Sequence, residues 1–134
     1  MVTLHILEYL KDNGIGTAID VDLFFEKLPL NKYGIAIYSR GGEQAHGRNT
    51  SMQQFDLYCR GTSDVVGYNQ LEKCRELFSA SYGNACTLPI VAGVSERQYT
   101  NAQFLSILNI ENLGTDENER VVFRLGCNIV YRKT

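Results

Sequence analysis

The chain has 134 residues, 44% of them hydrophobic, which is enough for one ordinary core and too few for two comfortable domains. Its thirteen basic and fifteen acidic residues leave a formal net charge of −2 and are spread throughout, which argues against a nucleic-acid binder that works by neutralising phosphates. No apolar run approaches the roughly 18 residues of a membrane span, and no charged start leads into a hydrophobic leader, so the expected setting is cytoplasmic.

Taken in chain order, residues 3–13 place Leu4, Ile6, Leu7 and Leu10 on one side of a helical wheel, and Asn13-Gly14 supplies a left-handed stop. Val21 to Phe25 reads as a strand ended by Pro29, and Gly34 to Tyr38 reads as the next, with Asn31 and Gly34 in the turn between them. From Arg40 to Thr50 the chain is polar and glycine-rich, with Gly41, Gly42 and Gly47, and is expected to be an exposed, mobile loop. Ser51 to Arg60 alternates again, Phe55, Leu57 and Cys59 on one face and Gln54, Asp56 and Arg60 on the other, which predicts a third strand.

Ser63 and Asp64 offer N-cap chemistry, and Tyr68, Leu71, Cys74 or Arg75, and Phe78 follow at helical spacing, so a main helix is expected over 64–80. Gly83-Asn84 should end it before a short strand around Leu88 to Val91. Phe104 to Ile110 reads as a strand, Glu111 to Glu119 as an acidic hairpin tip, and Arg120 to Arg132 as the last strand. In that last run Val121, Phe123, Leu125, Cys127, Ile129 and Tyr131 alternate with a face carrying Arg120, Arg124, Asn128 and Arg132, so one face packs and the other meets water or another chain. The pattern is that of a single α+β domain over residues 1–134. Both helices cover one face of a mostly antiparallel sheet, and a long β-hairpin finishes the chain.

The search for chemistry returns little. The two histidines are His5, expected on the surface of the first helix or partly packed there, and His46 in the glycine-rich loop, neither beside a recognisable nucleophile. Gly41, Gly42 and Gly47 are not followed by a Lys-Ser or Lys-Thr helix start, so they do not make a phosphate loop. Asp116, Glu117 and Glu119 lack the spacing of a calcium loop and read as a solvated tip. Cys59, Cys74, Cys86 and Cys127 show no zinc spacing and read as buried free thiols in a reducing compartment. No catalytic residue, cofactor or metal is expected. The eight tyrosines, several in strands, fit cross-strand packing or an assembly interface.

Several segments occur together in order: Tyr9-Leu10 with Gly14-Ile15-Gly16-Thr17, Leu28-Pro29-Leu30, Gly34 to Ile37, and Gly41-Gly42. They continue with Phe55 to Arg60, Tyr68 to Lys73, Asn112 to Asn118, and the terminal Ile129 to Arg132. The series resembles the small minor capsid proteins of long-tailed bacteriophages, a group that includes tail terminators, and the likeness covers nearly the whole chain. It departs from that pattern at Glu119, where a glycine is expected near the tip, and over 82–101.

The resemblance implies a non-enzymatic virion protein, assembled in the host cytoplasm, that forms a hexameric ring at the head-proximal end of the tail. Such a ring stops tail-tube polymerisation and joins the tail to the head connector. Its implied partners are copies of itself, the tail-tube protein and a head-connector or head-closure protein, with no membrane and no sequence-specific nucleic acid, although DNA can pass through a ring. A ring needs two different, complementary patches. Candidates for them are Arg124, Asn128 and Arg132 against the acidic Glu72, Glu76, Asp116, Glu117 and Glu119, while Arg40, His46 and Arg48 are interface candidates in and beside the 41–50 loop, expected to order against tail or connector protein. The alternatives are a head-closure protein on the portal side, a monomeric enzyme or small-ligand domain, and a host-directed interaction protein.

Overall fold

A computed structural model describes residues 2–45 and 47–133. The fold is α+β. Its elements run α1 (Val2–Asp12), β1 (Leu23–Phe25), β2 (Gly34–Ala45), β3 (Ser51–Arg60), α2 (Asp64–Ala80), β4 (Cys86–Leu88), β5 (Tyr99–Leu105), β6 (Glu111–Thr115) and β7 (Val121–Lys133). The sheet order is β1-β2-β3-β7-β5-β4, with β6 also paired to β7. All pairs are antiparallel except β1 with β2, which is parallel.

The alternation along β3 and β7 builds the core. Ile35, Cys59 and Phe123 lie side by side across β2, β3 and β7, and Ile37, Leu57 and Leu125 form the next row. All six are buried. α2 lies on this face. Ser63 caps it, its Oγ accepting from the Val66 N–H at 3.3 Å, and Leu71, Cys74 and Phe78 point inward. The Phe78 ring stacks on Phe104 with centroids 4.0 Å apart, and Phe55 meets both edge-on. At the other end of the helix the Ser81 hydroxyl donates to the Phe78 carbonyl and accepts from the Phe104 N–H, tying α2 to β5. Tyr68, expected inward, is exposed on one side and rests edge-on against Phe123.

Four readings of the sequence are corrected. Arg40 to Ala45 is a continuation of β2, because β3 from Ser51 to Gln54 supplies ladder partners that glycine-rich composition cannot reveal. A register shift between Arg40 and Gln44, with Gly41 at φ 72°, marks a bulge there, and the described turn residues are 47–49. The segment expected as one strand from Phe104 to Ile110 leaves the sheet at Ser106, which has φ 52°. The chain then returns as β6, so β5 and β6 share β7 end to end, and the hairpin tip shrinks to the turn before Arg120. The short strand lies at Cys86–Leu88, ahead of the expected Leu88 to Val91.

The fourth correction is His5, which is fully buried. α1 is enclosed nearly all round its first two turns, with Val2, Thr3, Leu4, His5, Ile6 and Leu7 all buried. The His5 Nδ1–H donates to the Pro89 carbonyl at 2.8 Å, and Nε2 lies 2.9 Å from the Ser95 Oγ. The ring therefore ties α1 to the 89–95 segment, and Tyr99 packs on its edge.

Candidate assembly surface

The second face of the sheet carries what the core face excludes. On it Arg40, Gln54 and Asn128 share one row, and Tyr58 and Arg124 share another. Tyr38 and Tyr58 meet edge-on with centroids 5.1 Å apart. The Arg40 Nε lies 3.4 Å from the Asp56 Oδ2, and a single Arg124 Nη2 donates to both oxygens of Glu111 at 2.9 Å. Asp56 is itself buried, and that burial holds its carboxyl above the usual carboxylate range despite Arg40 and Arg124. Leu108 crosses over this face. Its N–H donates to the Gly126 carbonyl, and a Cβ at Gly126 would stand 3.1 Å from its Cδ1, so glycine is what lets the crossing chain sit so close. The result is a half-exposed surface of tyrosine, arginine and scattered carboxylates, the residue mixture of an interface rim.

The two ends of the sheet differ. At the end where Gly34, Arg60 and Val122 are aligned, the buried Arg60 donates through Nη1 to the carbonyls of Pro29 at 2.7 Å and Lys32 at 3.1 Å. Its Nε lies 2.8 Å from the Asp116 Oδ2 but makes no aligned hydrogen bond, so that contact is an ion pair. Asp116 also accepts from the N–H groups of Asn118 and Arg120 and from the Arg120 Nε. The Arg120 N–H bond first, with the other backbone bond and the two arginines, holds the Asp116 carboxyl below its ordinary range. Arg120 further donates to the Leu30 carbonyl and lies over the Tyr33 ring. Asp116, read from sequence as solvated, is thus an internal clamp between the β6–β7 turn and the 29–33 loop.

At the opposite end the far half of β2 is exposed from Arg40 to Ala45. Glu43, itself exposed, accepts from the Tyr131 hydroxyl and from Lys133. Burial works against its ionisation, but those two partners outweigh it and hold Glu43 below the carboxylate range. β6, which flanks β7 back at the Arg60 end, is likewise exposed at all five residues.

The expected interface residues are distributed accordingly. Arg40, Arg124 and Asn128 come together on the second face, with Arg132 exposed near the end of β7 and Arg48 exposed in the turn between β2 and β3. Glu72 and Glu76 lie on α2, on the opposite side of the molecule. Glu117 and Glu119 are exposed at the β6–β7 turn, and Glu119 has φ 58°. His46 lies outside the described residues. Sequence reasoning did not single out Asp56, Glu111 or Glu43. Their partners sit 13 to 90 positions away.

A groove of about 490 Å³ opens between α1, β1 and the 91–94 turn, lined by Leu4, Ile19, Phe25, Val91 and Val94, with the Asp20–Lys27 ion pair in its wall. Three of the four cysteines are buried in the core as free thiols, and burial pushes Cys59 and Cys127 up to about 12, far from the reactive thiolate range. Among the described residues no cluster of three His, Cys, Asp or Glu side chains is placed to hold a metal.

No protein-family model matches the sequence, and a search of curated proteins returns no relative.

Proposed function

We propose that this chain is a structural virion protein that forms a ring at the head-proximal end of a long phage tail, ends tail-tube polymerisation and joins the tail to the head connector. The observation that carries the reading is where the resembling segments fall. Gly41-Gly42 and Asn112 to Asn118 lie largely on exposed strands and a turn at the margins of a domain whose core is closed by other residues. The tyrosine- and arginine-lined second face supports the same reading, since those side chains are enriched where proteins meet.

A ring of this kind works by occupying the growing end of the tube with one surface while offering a different surface on the other side, so that the next tube layer finds no matching partner. Chemistry is not required of it, and the ring can leave a central passage for DNA. A head-closure protein on the portal side would use the same type of assembly and is the second reading. Particles produced without this chain decide between a virion role and any other: tails of abnormal length, unattached to heads, are expected. Tails of normal length carrying filled heads would remove the proposal.

A further inference from the structure

Building on that ring reading, we infer that neighbouring subunits join edge to edge, with the open edge of β6 on one copy pairing with the open edge of the far half of β2 on the next. In the sheet, β3, β7 and most of β5 are paired on both sides. β1 covers β2 only from Ile35 to Ile37, so beyond the Ser39 N–H, which is taken by Glu26, the outer edge of Arg40–Ala45 has no strand beside it among the described residues. β6 pairs with β7 alone, and its outer edge is also open.

These two edges lie at diagonally opposite corners. β6 flanks β7 opposite Val121 to Arg124, whereas the far half of β2 flanks β3 opposite Ser51 to Gln54, on the other margin and at the other end. They are different patches, so their union is heterologous and propagates around a ring instead of stopping at a dimer. Six residues on one edge face five on the other, a match in length. The side chains are complementary too. Arg40 is already paired with the buried Asp56, so Arg48, exposed past Ala45, is the cation offered beside one edge. Glu117 and Glu119, exposed and without an ion-pair partner among the described residues, lie beyond the other. Asp116 is excluded from this pairing because its oxygens are already engaged by Arg60 and Arg120.

Both edges also carry devices that keep them from indiscriminate pairing. Each has a register irregularity, between Arg40 and Gln44 in one and between Asn112 and Thr115 in the other. One ladder group on each is already used internally: the Gly41 carbonyl accepts from Gln53, and the Gly114 N–H donates to Asn112. Bulged, partly satisfied edges resist flat fibre-like stacking while still accepting a partner of fitted shape.

The test is a cysteine at each edge, Gln44→Cys with Leu113→Cys, in a Cys86→Ser background because Cys86 is the one native thiol that is not fully buried. Mild oxidation of the purified assembly should convert most of the chain into a covalent ladder extending to the full ring, while either single cysteine gives no ladder. A ring intact by native mass with no ladder would overturn the edge pairing and leave the ring reading standing. A chain that stays monomeric at all concentrations and with tails would overturn both. If the cysteine pair does not fold, a photo-crosslinking residue at Leu113 gives the same readout: capture of a peptide spanning 40–48 of another copy supports the pairing, and capture of any other segment rejects it.

Discussion

The two ends of the sheet are built from similar residues and behave oppositely. At the Arg60 end three charges, Arg60, Asp116 and Arg120, are turned inward, while Glu117 and Glu119 of the same turn stay exposed. Arg60, Asp116 and Arg120 bind one another and the carbonyls of Pro29, Leu30 and Lys32, and the loop and hairpin turn they join become one unit. At the Arg40–Ala45 end Glu43 bonds to Tyr131 and Lys133 and Arg40 pairs with Asp56, yet the strand itself stays exposed along its whole far half. Charge content alone therefore does not tell a fold-holding cluster from a partner-seeking one. What separates them is whether the surrounding carbonyls and N–H groups are already satisfied.

On that contrast, substitutions in the closed core and in the Arg60–Asp116–Arg120 clamp should cost stability, and those along the two open edges should cost assembly alone. The largest loss is expected for Leu71→Asp, which puts a carboxylate beneath α2 where Leu71 is fully buried. Unfolding or aggregation is expected, a loss beyond about 4 kcal/mol. A soluble variant with a cooperative melt would show that the helix face is misassigned. Arg60→Ala should follow, at about 3 kcal/mol in urea denaturation, because it strands the Pro29 and Lys32 carbonyls and removes a buried partner of Asp116.

Asp116→Asn should have a smaller effect with a distinctive pH dependence. The folded Asp116 pKa is depressed, so its stabilising contribution is complete above the unfolded carboxylate value of roughly 4 and is lost as pH falls through the lower folded value. Wild-type and variant urea midpoints should thus differ at pH 7 and converge as the pH drops below about 4. Asp56 has the opposite sign. Its pKa is raised by burial, so its charged form works against folding above that raised value, and Asp56→Asn should leave stability at pH 7 unchanged or improved. Equal pH profiles for the two variants would erase the distinction between clamp and face.

Glu119→Gly should raise stability by about 1 kcal/mol, since a residue at φ 58° pays a steric cost that glycine avoids. This is also the place where the resemblance leads one to expect glycine. At the open end, Arg48→Glu should leave the thermal midpoint within the effect of about 0.5 kcal/mol typical of surface changes, yet reduce the assembled fraction on sedimentation. A lowered midpoint with normal assembly would reverse the comparison.

The parts of this fold that were legible in the sequence are those whose cause is local. The period-two alternation from Val121 to Tyr131, and the Ser63 cap followed by Leu71, Cys74 and Phe78, each contain their own explanation. Arg40–Ala45 and Glu111–Thr115 do not. Both are polar and glycine-containing, and they are strands because β3 and β7 offer them ladders. The His5–Ser95 contact and the Arg60–Asp116 clamp join residues 90 and 56 positions apart, and nothing near either residue announces its partner. The candidate surface was half legible for the same reason: Arg40, Arg124 and Asn128 follow from strand parity, whereas Asp56, Glu111 and Glu43 become visible only once the neighbouring strands are aligned.

The central claim is positional, and electron cryomicroscopy of assembled virions tests it most directly. The account predicts density for this chain as a closed ring stacked on the last tail-tube layer at the head-tail junction. Its absence from the particle would contradict the account, and a ring seated against the portal side would transfer the chain to head closure.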